Sequence, residues 1–335
     1  MDEKEALFYK KLKNDIVQCQ LCPKFCALKP EEYGNCNARK NIGGKLFSIV
    51  YGKPCSVAAD PVEKKPLYHF LPSTKTLSIA TAGCNFHCTH CQNWQISQAK
   101  VEDVPHLDIS PEKVVEQAKS NKLKSIAFTY TEPTVFYEYM LDTAKLAKKK
   151  RIKSIVVSNG FINEKPLKKL IPSIKAANID LKGNAEFYGK ICDGKIEPVL
   201  NAIKMLHENK VWLEITNMIV PGYNDDVGEI KKTVAWIIEN VGKDVPLHFS
   251  AFYPCFKMTG IQATPPEFLM RARIIAKNMG LNYVYTGNIS DEDGSTTFCP
   301  KCGQAVIRRK NFAVVENRLK NGKCPCGEEI PGIWK

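Results

Sequence analysis

Fourteen cysteines stand in this chain of 335 residues, and three of them are spaced for metal chemistry. Cys84, Cys88 and Cys91 lie four and three positions apart in one short segment. A four-iron cluster usually takes four thiolates, so three thiolates leave one iron open. An open metal position can bind an amine and a carboxylate, and S-adenosylmethionine (SAM) carries both groups on its methionine end. The spacing therefore predicts a 4Fe–4S cluster that binds SAM and gives it one electron.

The same segment also permits a zinc site. His87 and His90 lie between the cysteines, and either one could add a fourth ligand to three thiolates. The position of the segment, after a predicted strand and ahead of further polar strand ends, favours the cluster over zinc.

Two more groups of cysteines flank this segment, and they are predicted to bind metal because clustered thiols in a reducing compartment are rarely disulfides. The front quartet is Cys19, Cys22, Cys26 and Cys36, and the rear quartet is Cys299, Cys302, Cys324 and Cys326. The front quartet fits an auxiliary iron–sulfur cluster or zinc. A third alternative is that it binds neither. The rear quartet fits zinc or iron, with reduced free thiols as the alternative. The scattered Cys55, Cys192 and Cys255 are predicted to be buried small residues.

Six apolar runs alternate with helical patterns from about residue 75 to 290, which is typical of parallel βα units. Strands are predicted at Leu77–Ala80, Ser125–Tyr130, Ser154–Ser158, Ala177–Leu181, Val211–Val220 and Leu247–Phe252. Such units form a doubly wound sheet or a barrel, full or partial, and both place functional groups at the carboxyl ends of the strands. The cysteine segment follows the first predicted strand and so lies at such an end.

Helices are predicted between these strands from capping residues and apolar spacing. One starts at Ser110-Pro111, and another starts with a capping box at Thr264–Glu267. The remaining predicted helices are Phe136–Lys149, Lys195–Asn209 and Asp226–Val241.

The cysteine segment resembles the signature of radical SAM enzymes, and polar groups at the later strand ends resemble SAM-binding elements of the pyruvate formate-lyase activating enzymes in the same order. These groups are Thr131 and Glu132, Ser158 and Asn159, Asp180 and Lys182, and His248. The resemblance implies that Glu132 and the Thr131 backbone accept from the methionine ammonium. Lys182 would pair with the SAM carboxylate. Asp180 would reach the ammonium or the ribose.

The same resemblance implies roles for the other matched residues. Ser158 and Asn159 belong to a turn that lies near the ribose. His248 corresponds to a histidine that contacts the cofactor. His90 occupies a position that is commonly aromatic, where its imidazole would stack on the adenine or hydrogen-bond with it.

Three further stretches resemble the radical SAM component of the AmmeMemoRadiSam system, a relative of those activating enzymes. They are Asp60–Phe70, Gln92–Gln98 and the front cysteines with Gly34–Arg39. This resemblance implies an α/β fold with a partial (β/α)6 TIM-type barrel, small metal-binding N- and C-terminal appendages, SAM as a cofactor, and partners of the Ammecr and Memo types. The expected domains are a cysteine-rich segment at 1–74, the radical SAM core at 75–290, and a zinc-ribbon-like or rubredoxin-like segment at 291–335.

Charge and hydropathy limit the remaining alternatives. The formal net charge of +13 fits either an anionic partner or a lysine-rich solvated surface. The charged residues 1–5 are unlike a signal peptide and no apolar run would span a membrane, so a cytoplasmic protein is expected.

Three functions follow. The first is a radical SAM enzyme that abstracts hydrogen from an unknown substrate, such as a partner protein, and takes electrons from a ferredoxin or flavodoxin. The second is a radical SAM enzyme that modifies tRNA. The third is an electron-transfer or zinc scaffold protein without enzymatic activity.

Overall fold

The structure is a computed structural model that describes residues 3–335, so the first two residues of the charged N-terminal stretch lie outside the described residues. The N-terminal part forms two small antiparallel sheets of three strands each, in the orders β1-β6-β5 and β2-β3-β4. Their strands are β1 (Lys4–Glu5), β2 (Tyr9–Lys11), β3 (Val17–Cys19), β4 (Ala27–Leu28), β5 (Arg39–Ile42) and β6 (Lys45–Ser48). The front quartet lies in and between these strands.

A sheet of eight strands forms the centre of the molecule. Its strands are β7 (Pro54–Pro61), β8 (Lys75–Thr81), β9 (Ser125–Phe128), β10 (Lys153–Ser158), β11 (Ala176–Asp180), β12 (Trp212–Ile219), β13 (Leu247–Ala251) and β14 (Val284–Gly287). Each strand pairs with the next one along the chain. β8 to β14 run parallel, and β7 is antiparallel to β8. β7 and β14 are the two edges, so the described sheet stays open and does not close into a barrel.

All six predicted strands are present, and the sheet holds two more than the sequence predicted. β14 has only four residues and ends at Gly287, which is too short to show a period. β7 begins and ends with proline, which suits an edge strand but weakens the sequence signal. The parallel part therefore has seven strands and not six. β7 lies within the predicted segment 1–74, and the domain boundaries stay a prediction.

Helices cover the sheet, because the parallel strands are apolar on both faces and need a layer against them. They are α1 (Trp94–Ser97), α2 (Pro111–Ser120), α3 (Tyr137–Lys149), α4 (Glu164–Leu170), α5 (Ala185–Ile191), α6 (Ile196–Glu208), α7 (Val227–Val241), α8 (Pro266–Asn278) and α9 (Glu292–Ser295). Short 3-10 helices lie at Val62–Lys64, Val101–Asp103, Pro133–Phe136 and Ile171–Ser173.

Of the two predicted N-terminal caps, the one at Ser110 forms and the one at Thr264 does not. Ser110 caps α2 by accepting from the backbone N–H of Lys113. The capping box at Thr264–Glu267 does not form, because the Thr264 hydroxyl accepts from the backbone N–H of Phe252 at 2.9 Å and donates to the carbonyl of Ile219 at 2.6 Å instead. α8 begins after Pro265 without a side-chain cap.

The C-terminal part packs beneath the sheet, at the amino ends of the strands. It holds β15 (Thr297–Phe298), β16 (Ala305–Lys310) and β17 (Ala313–Asn317) in one antiparallel sheet. The Arg309 guanidinium donates to the carbonyl of Tyr68 at 2.7 Å, and His69 Nδ1 lies 2.7 Å from the carbonyl oxygen of Pro331. The rear quartet therefore lies at the opposite end of the sheet from the cysteine segment after β8.

Among the described residues, no helix combines the length and the apolar character that a membrane span requires.

Candidate active site at the carboxyl ends of the strands

A cleft with about 280 Å³ of accessible space lies at the carboxyl ends of the parallel strands. Nearly all of the predicted site residues line it. They are Cys84, Cys88, His90, Cys91, Thr131, Glu132, Ser158, Asn159, Asp180 and Lys182. These residues follow four different strands, and the parallel topology brings them to one place.

The cysteine loop is held by backbone contacts on two sides. The N–H groups of His87 and Thr89 donate to the carbonyls of Cys192 and Ile191, at 3.1 and 3.0 Å. Gly83 has a φ of 98°, and a Cβ at this position would lie 2.3 Å from the Cys36 carbonyl oxygen. Only glycine suits that conformation and that approach. The loop is therefore fixed against α5 and against the front quartet.

The three loop thiols are spread too widely for one ion. Among the described residues, two sets of ligand atoms lie within 4.8 Å of one another: the rear quartet, and Cys88 with His90 and Cys192. No set joins the three loop cysteines to a histidine, so the zinc reading is not supported. His87 lies elsewhere, with Nδ1 3.2 Å from a carboxylate oxygen of Asp193. Thiols that surround a cleft without meeting at one point suit a cluster of several irons.

The thiols differ in how readily they ionise. Burial raises the pKa of Cys84 well above its usual range, with the Glu132 carboxylate adding to the effect. Burial also raises the pKa of Cys91, whose Sγ lies 3.2 Å from the Ser97 hydroxyl. A hydrogen bond from Cys192 lowers the pKa of Cys88, and the Lys182 ammonium lowers it further. Positive charge near the loop favours the thiolate form that a metal cluster needs.

Glu132 is buried and almost fully hydrogen-bonded within the chain. Its Oε1 accepts from the backbone N–H of Thr134 and from the hydroxyl of Ser158, at 2.9 and 2.7 Å. Its Oε2 accepts from the backbone N–H of Asn159 at 2.8 Å. A carboxylate can accept about four hydrogen bonds, so room remains for one donor from the cleft. Burial raises the pKa of this carboxyl group, and a cationic ligand would offset that cost.

Asn159 faces the cysteine loop. Its Nδ2 donates to Asn85 Oδ1 at 2.9 Å and lies 3.9 Å from Cys84 Sγ. Its Oδ1 accepts from the backbone N–H of Phe161 at 2.9 Å. The Asn159 amide thus joins the turn after β10 to the cysteine loop. The sequence predicted only that this turn lies near the ribose, and not this contact.

Asp180 and Lys182 form an ion pair at the end of β11, with Nζ and Oδ2 2.7 Å apart. Burial opposes the charge on Lys182, but Asp180 and the nearby thiols outweigh it and raise the pKa of the ammonium. The Tyr188 hydroxyl donates to the Asp180 carbonyl and accepts from the Lys182 N–H, which fixes this turn. The charged ammonium is thereby held at the cleft.

His90 is buried beside Phe187, with ring centroids 5.7 Å apart. Burial lowers the pKa of its imidazole to about 3, so the ring is neutral at physiological pH. Its Nδ1 has no hydrogen-bond partner among the described residues, although the atom is buried. A buried polar atom without a partner is costly, and a ligand in the cleft would satisfy it.

His248 was expected to contact the cofactor, but it is not among the residues that line the cleft. Its Nε2 lies 2.7 Å from Glu214 Oε2, and its ring stacks on Tyr285 with centroids 5.1 Å apart. Glu214 also accepts from the backbone N–H groups of Tyr68 and His69. The histidine belongs to a buried polar network deeper in the sheet, which a single strand pattern could not reveal.

Sequence reasoning missed several groups at the site. Cys192 was predicted to be a simple buried residue, yet its Sγ lies within 4.8 Å of ligand atoms of Cys88 and His90. Lys64 and Tyr130 line the cleft beside each other. Their partner Asp60 accepts from Lys64, Lys65 and the Tyr130 hydroxyl. The dense charge of residues 60–65 is the one sequence signal that could have indicated this cluster.

The rear quartet is compact. Cys299 Sγ lies 3.7 Å from Cys326 Sγ, and Cys302 Sγ lies 3.7 Å from Cys324 Sγ. A zinc–sulfur bond of about 2.3 Å in a tetrahedron requires sulfurs about 3.8 Å apart. The rear quartet therefore fits one tetrahedral ion, zinc or iron.

Comparisons with known proteins agree with this geometry. Residues 78–237 match the model of the Radical SAM superfamily, so the chain carries a radical SAM domain, for which a 4Fe–4S cluster and SAM are the cofactors. The uncharacterized protein MJ0808 of Methanocaldococcus jannaschii is 44% identical over 330 residues, which cover 98% of each chain. The present chain belongs to the same family as that protein.

Two relatives from the same organism match shorter parts. The S-adenosyl-L-methionine-dependent tRNA 4-demethylwyosine synthase is 32% identical over 36% of this chain and 38% of its own. MJ1632, named as a candidate glycyl-radical enzyme activating enzyme, is 26% identical over 60% of this chain and 76% of its own. The solved structure of a radical SAM methyltransferase from Sphaerobacter thermophilus covers 70% of this chain and 71% of its own, with 14% identity and a TM-score of 0.51, and shows a shared fold.

Proposed function

We propose that this protein is an enzyme that cleaves SAM reductively and uses the product radical to abstract hydrogen from a substrate. The observation that carries the proposal is the meeting of three cysteines, Glu132 and the Asp180–Lys182 pair in one cleft. When bound there, a 4Fe–4S cluster with an open iron supplies one electron to SAM, which yields methionine and a 5′-deoxyadenosyl radical.

The side chains around the cleft supply binding and orientation. Lys182, held by Asp180 and Tyr188, offers an ammonium to the SAM carboxylate. Glu132 offers its remaining acceptor site to the methionine ammonium, with the Thr131 backbone beside it. Neutral His90 offers Nδ1 to the adenine. Glu132 and His90 are buried, which helps to exclude water from a reactive radical.

The opposite wall of the cleft is left for the substrate. It is formed by Thr216, Met218, Ser250 and Asn288, which belong to β12, β13 and the end of β14. Asn288 donates to the Ser250 hydroxyl at 3.0 Å, so this wall is polar and preorganised. None of these four residues is among those predicted to bind SAM.

We propose a protein substrate, in the manner of the activating enzymes. Exposed aromatic side chains at the strand ends support this: Trp94 is 40% exposed and stacks on Phe256, and Tyr223 and Tyr253 are 44% and 46% exposed. Exposed aromatic groups of this kind are enriched at protein interfaces. The similarity to MJ1632 favours the same reading. Membership of the AmmeMemoRadiSam system would supply Ammecr-type and Memo-type partners, and a cytoplasmic ferredoxin or flavodoxin would supply electrons.

Modification of tRNA is the second candidate. It rests on the similarity to the tRNA 4-demethylwyosine synthase and on the net charge of +13. Binding to tRNA that weakens steeply as salt rises would support it, because contacts to phosphate release counterions. Failure to bind tRNA at low salt would remove it.

The test is anaerobic reconstitution with iron and sulfide, followed by reduction and addition of SAM. We expect 5′-deoxyadenosine and methionine from the native protein and neither from C84A, C88A or C91A. C55A is the matched control, because Cys55 lies on the edge strand β7, outside the cleft lining, with its thiol 3.6 Å from the carbonyl oxygen of Ala80. A reconstituted cluster that never cleaves SAM, even with candidate partners added, would favour an electron carrier instead.

A further inference from the structure

We propose that the front quartet holds a second 4Fe–4S cluster, ligated by all four cysteines, which passes single electrons to the cluster in the cleft. The electron-transfer role rests on the proposed function, but the presence of the second cluster does not. Four thiolates leave no iron open, so this cluster would carry electrons and would not bind SAM.

The first argument is the spacing of the front cysteines. All four of them line one cavity. Their ligand atoms are not among the described sets that lie within 4.8 Å of one another, whereas those of the rear quartet are. One zinc ion needs its sulfurs close together, while four irons hold them further apart. The wider spacing of the front quartet favours the cluster.

The second argument is the surroundings of this cavity. Leu21, Phe25 and Val135 line it together with the cysteines, and Leu21 and Val135 form a buried apolar wall on its inner side. The buried Arg39 side chain also lines this cavity. A nearby cation and an apolar wall suit a negatively charged cluster.

The third argument is the path between the two cysteine sites. Asn85 lines the front cavity and is the residue next to Cys84 in the chain. Its side chain accepts from Asn159, whose amide nitrogen lies 3.9 Å from Cys84 Sγ. On the other side, a Cβ at Gly83 would lie 2.3 Å from the Cys36 carbonyl oxygen, so the cysteine loop and the front quartet approach each other closely there. One residue thus separates a ligand of the cleft cluster from the front cavity.

The front site is also open to an electron donor. Phe25, which lines the cavity, is 47% exposed, and Lys24 beside it forms an ion pair with Asp193. A low-potential ferredoxin or flavodoxin would dock there and give up one electron. The front cluster is reduced by that electron and oxidised again as it reduces the cleft cluster, so it is regenerated in each turnover. The SAM sulfonium is the final acceptor.

The first experiment counts metal in a variant without the other two sites. The change combines C84A, C88A and C91A with C302S and C326S. We expect about four irons and four sulfides per chain after anaerobic reconstitution. The reduced protein should give a 4Fe–4S electron paramagnetic resonance signal that SAM does not alter. About one zinc and no iron in this variant would overturn the proposal, as would no metal while the circular dichroism remains native.

The second experiment tests the electron path in the protein with its cleft cluster intact. In C22S and C36S, we expect the cleft cluster to be reduced by ferredoxin at least about tenfold more slowly. Titanium(III) citrate, a small reductant that reaches the cleft directly, should still reduce it at the native rate. C55S serves as the control for loss of a thiol.

Equal slowing with both reductants would show a structural role and overturn the electron path. One outcome is that the native protein never cleaves SAM while the variant with five cysteines replaced still holds four irons. In that case the proposed function fails and the second cluster stands. The two proposals can therefore fail separately.

Discussion

The front and rear quartets contain the same four thiols but are built in opposite ways. The rear quartet brings its sulfurs to within 3.7 Å in two pairs, in a part of the chain with three short strands. The front quartet lines one cavity but is not among the described sets with all ligand atoms within 4.8 Å, and the protein around it is tied to the core by a buried ion pair between Arg39 and Glu138. We expect the compact site on a small module to depend on its ion, and the front site on its anchored segment to hold the electron-carrying cluster proposed above.

The position of each quartet agrees with this contrast. The front cavity lies next to the cleft and shares Asn85 with the cysteine loop. The rear quartet lies under the amino ends of the strands, away from every group that lines the cleft. Cysteine spacing along the chain alone is compatible with zinc or iron at both quartets. Their surroundings, and not this spacing, suggest a single ion at the rear quartet and a cluster at the front quartet.

The largest effect expected from this contrast is the loss of the rear metal. In C299S, one buried ligand is removed, and structural zinc binding contributes of the order of 10 kcal/mol to folding of such modules. We expect one metal ion fewer per chain and fast hydrogen exchange across 297–335. SAM cleavage should persist, because the rear quartet does not reach the cleft. Loss of the SAM-cleaving cluster in C299S would mean that the three groups are assigned wrongly.

The second effect concerns the front segment, which should be held by the protein and not by its metal. Glu138 accepts from Arg39 at 2.6 Å and from the backbone N–H of Leu7 at 2.7 Å, and both charged side chains are at most 2% exposed. E138Q leaves a buried guanidinium without its counterion, which costs about 3–5 kcal/mol. Urea unfolding of the protein without metal measures this loss.

E164Q provides the control for this change, because Glu164 pairs with Lys168 on the exposed surface of α4. It should alter the free energy of unfolding little. If E138Q proves as mild as E164Q, the front segment depends on its metal after all and the contrast between the quartets disappears.

Most of the fold could be predicted from the sequence, because runs such as the one in β8, which is buried from Thr76 to Thr81, fit only the interior of a sheet. The two edge strands could not. β14 is too short for a pattern, and β7 is recognised only through its pairing with β8, which is a long-range contact. The capping box at Thr264 failed for the same reason, since its hydroxyl accepts from the N–H of Phe252 and donates to Ile219, 12 and 45 residues away.

The candidate site, like the fold, has one part that the sequence predicts and one part that it does not. Parallel strands bring their carboxyl ends together, so the order of Glu132, Asn159 and Lys182 along the chain was enough to predict one cleft. The partners of each side chain were not predictable. His248 is paired with Glu214, and Asn159 with Asn85, and both pairs form between segments that are distant in sequence.

The third effect is an acid sensitivity of the rear attachment. Burial lowers the pKa of His69 to about 4, and this neutral ring contacts Pro331 and Tyr285. An unfolded histidine has a pKa of about 6.5, so the unfolded chain binds more protons between pH 6.5 and 4. Stability is therefore full above pH 6.5 and falls by up to about 3 kcal/mol as the pH drops to 4.

Urea unfolding at several pH values tests this, with H69Q beside the native protein. His90 also has a lowered pKa, so the difference between H69Q and the native protein isolates His69. H69Q should flatten the dependence between pH 4 and 6.5, and H106Q, on the exposed surface, should leave it unchanged. An unchanged slope in H69Q would mean that His69 does not link the rear segment to pH.

The smallest effect is expected from the ion pair that joins the front segment to α5. Lys24 Nζ lies 2.6 Å from Asp193 Oδ2, but the two side chains are 18% and 57% exposed. Water and salt screen such a pair, so K24M should cost less than about 1 kcal/mol, and the cost should shrink as salt rises. A double-mutant cycle with D193N measures the coupling without the separate effect on His87, which also contacts Asp193. A coupling as large as the loss in E138Q would show that the surface pair holds the front segment as strongly as the buried pair does, which contradicts this ranking.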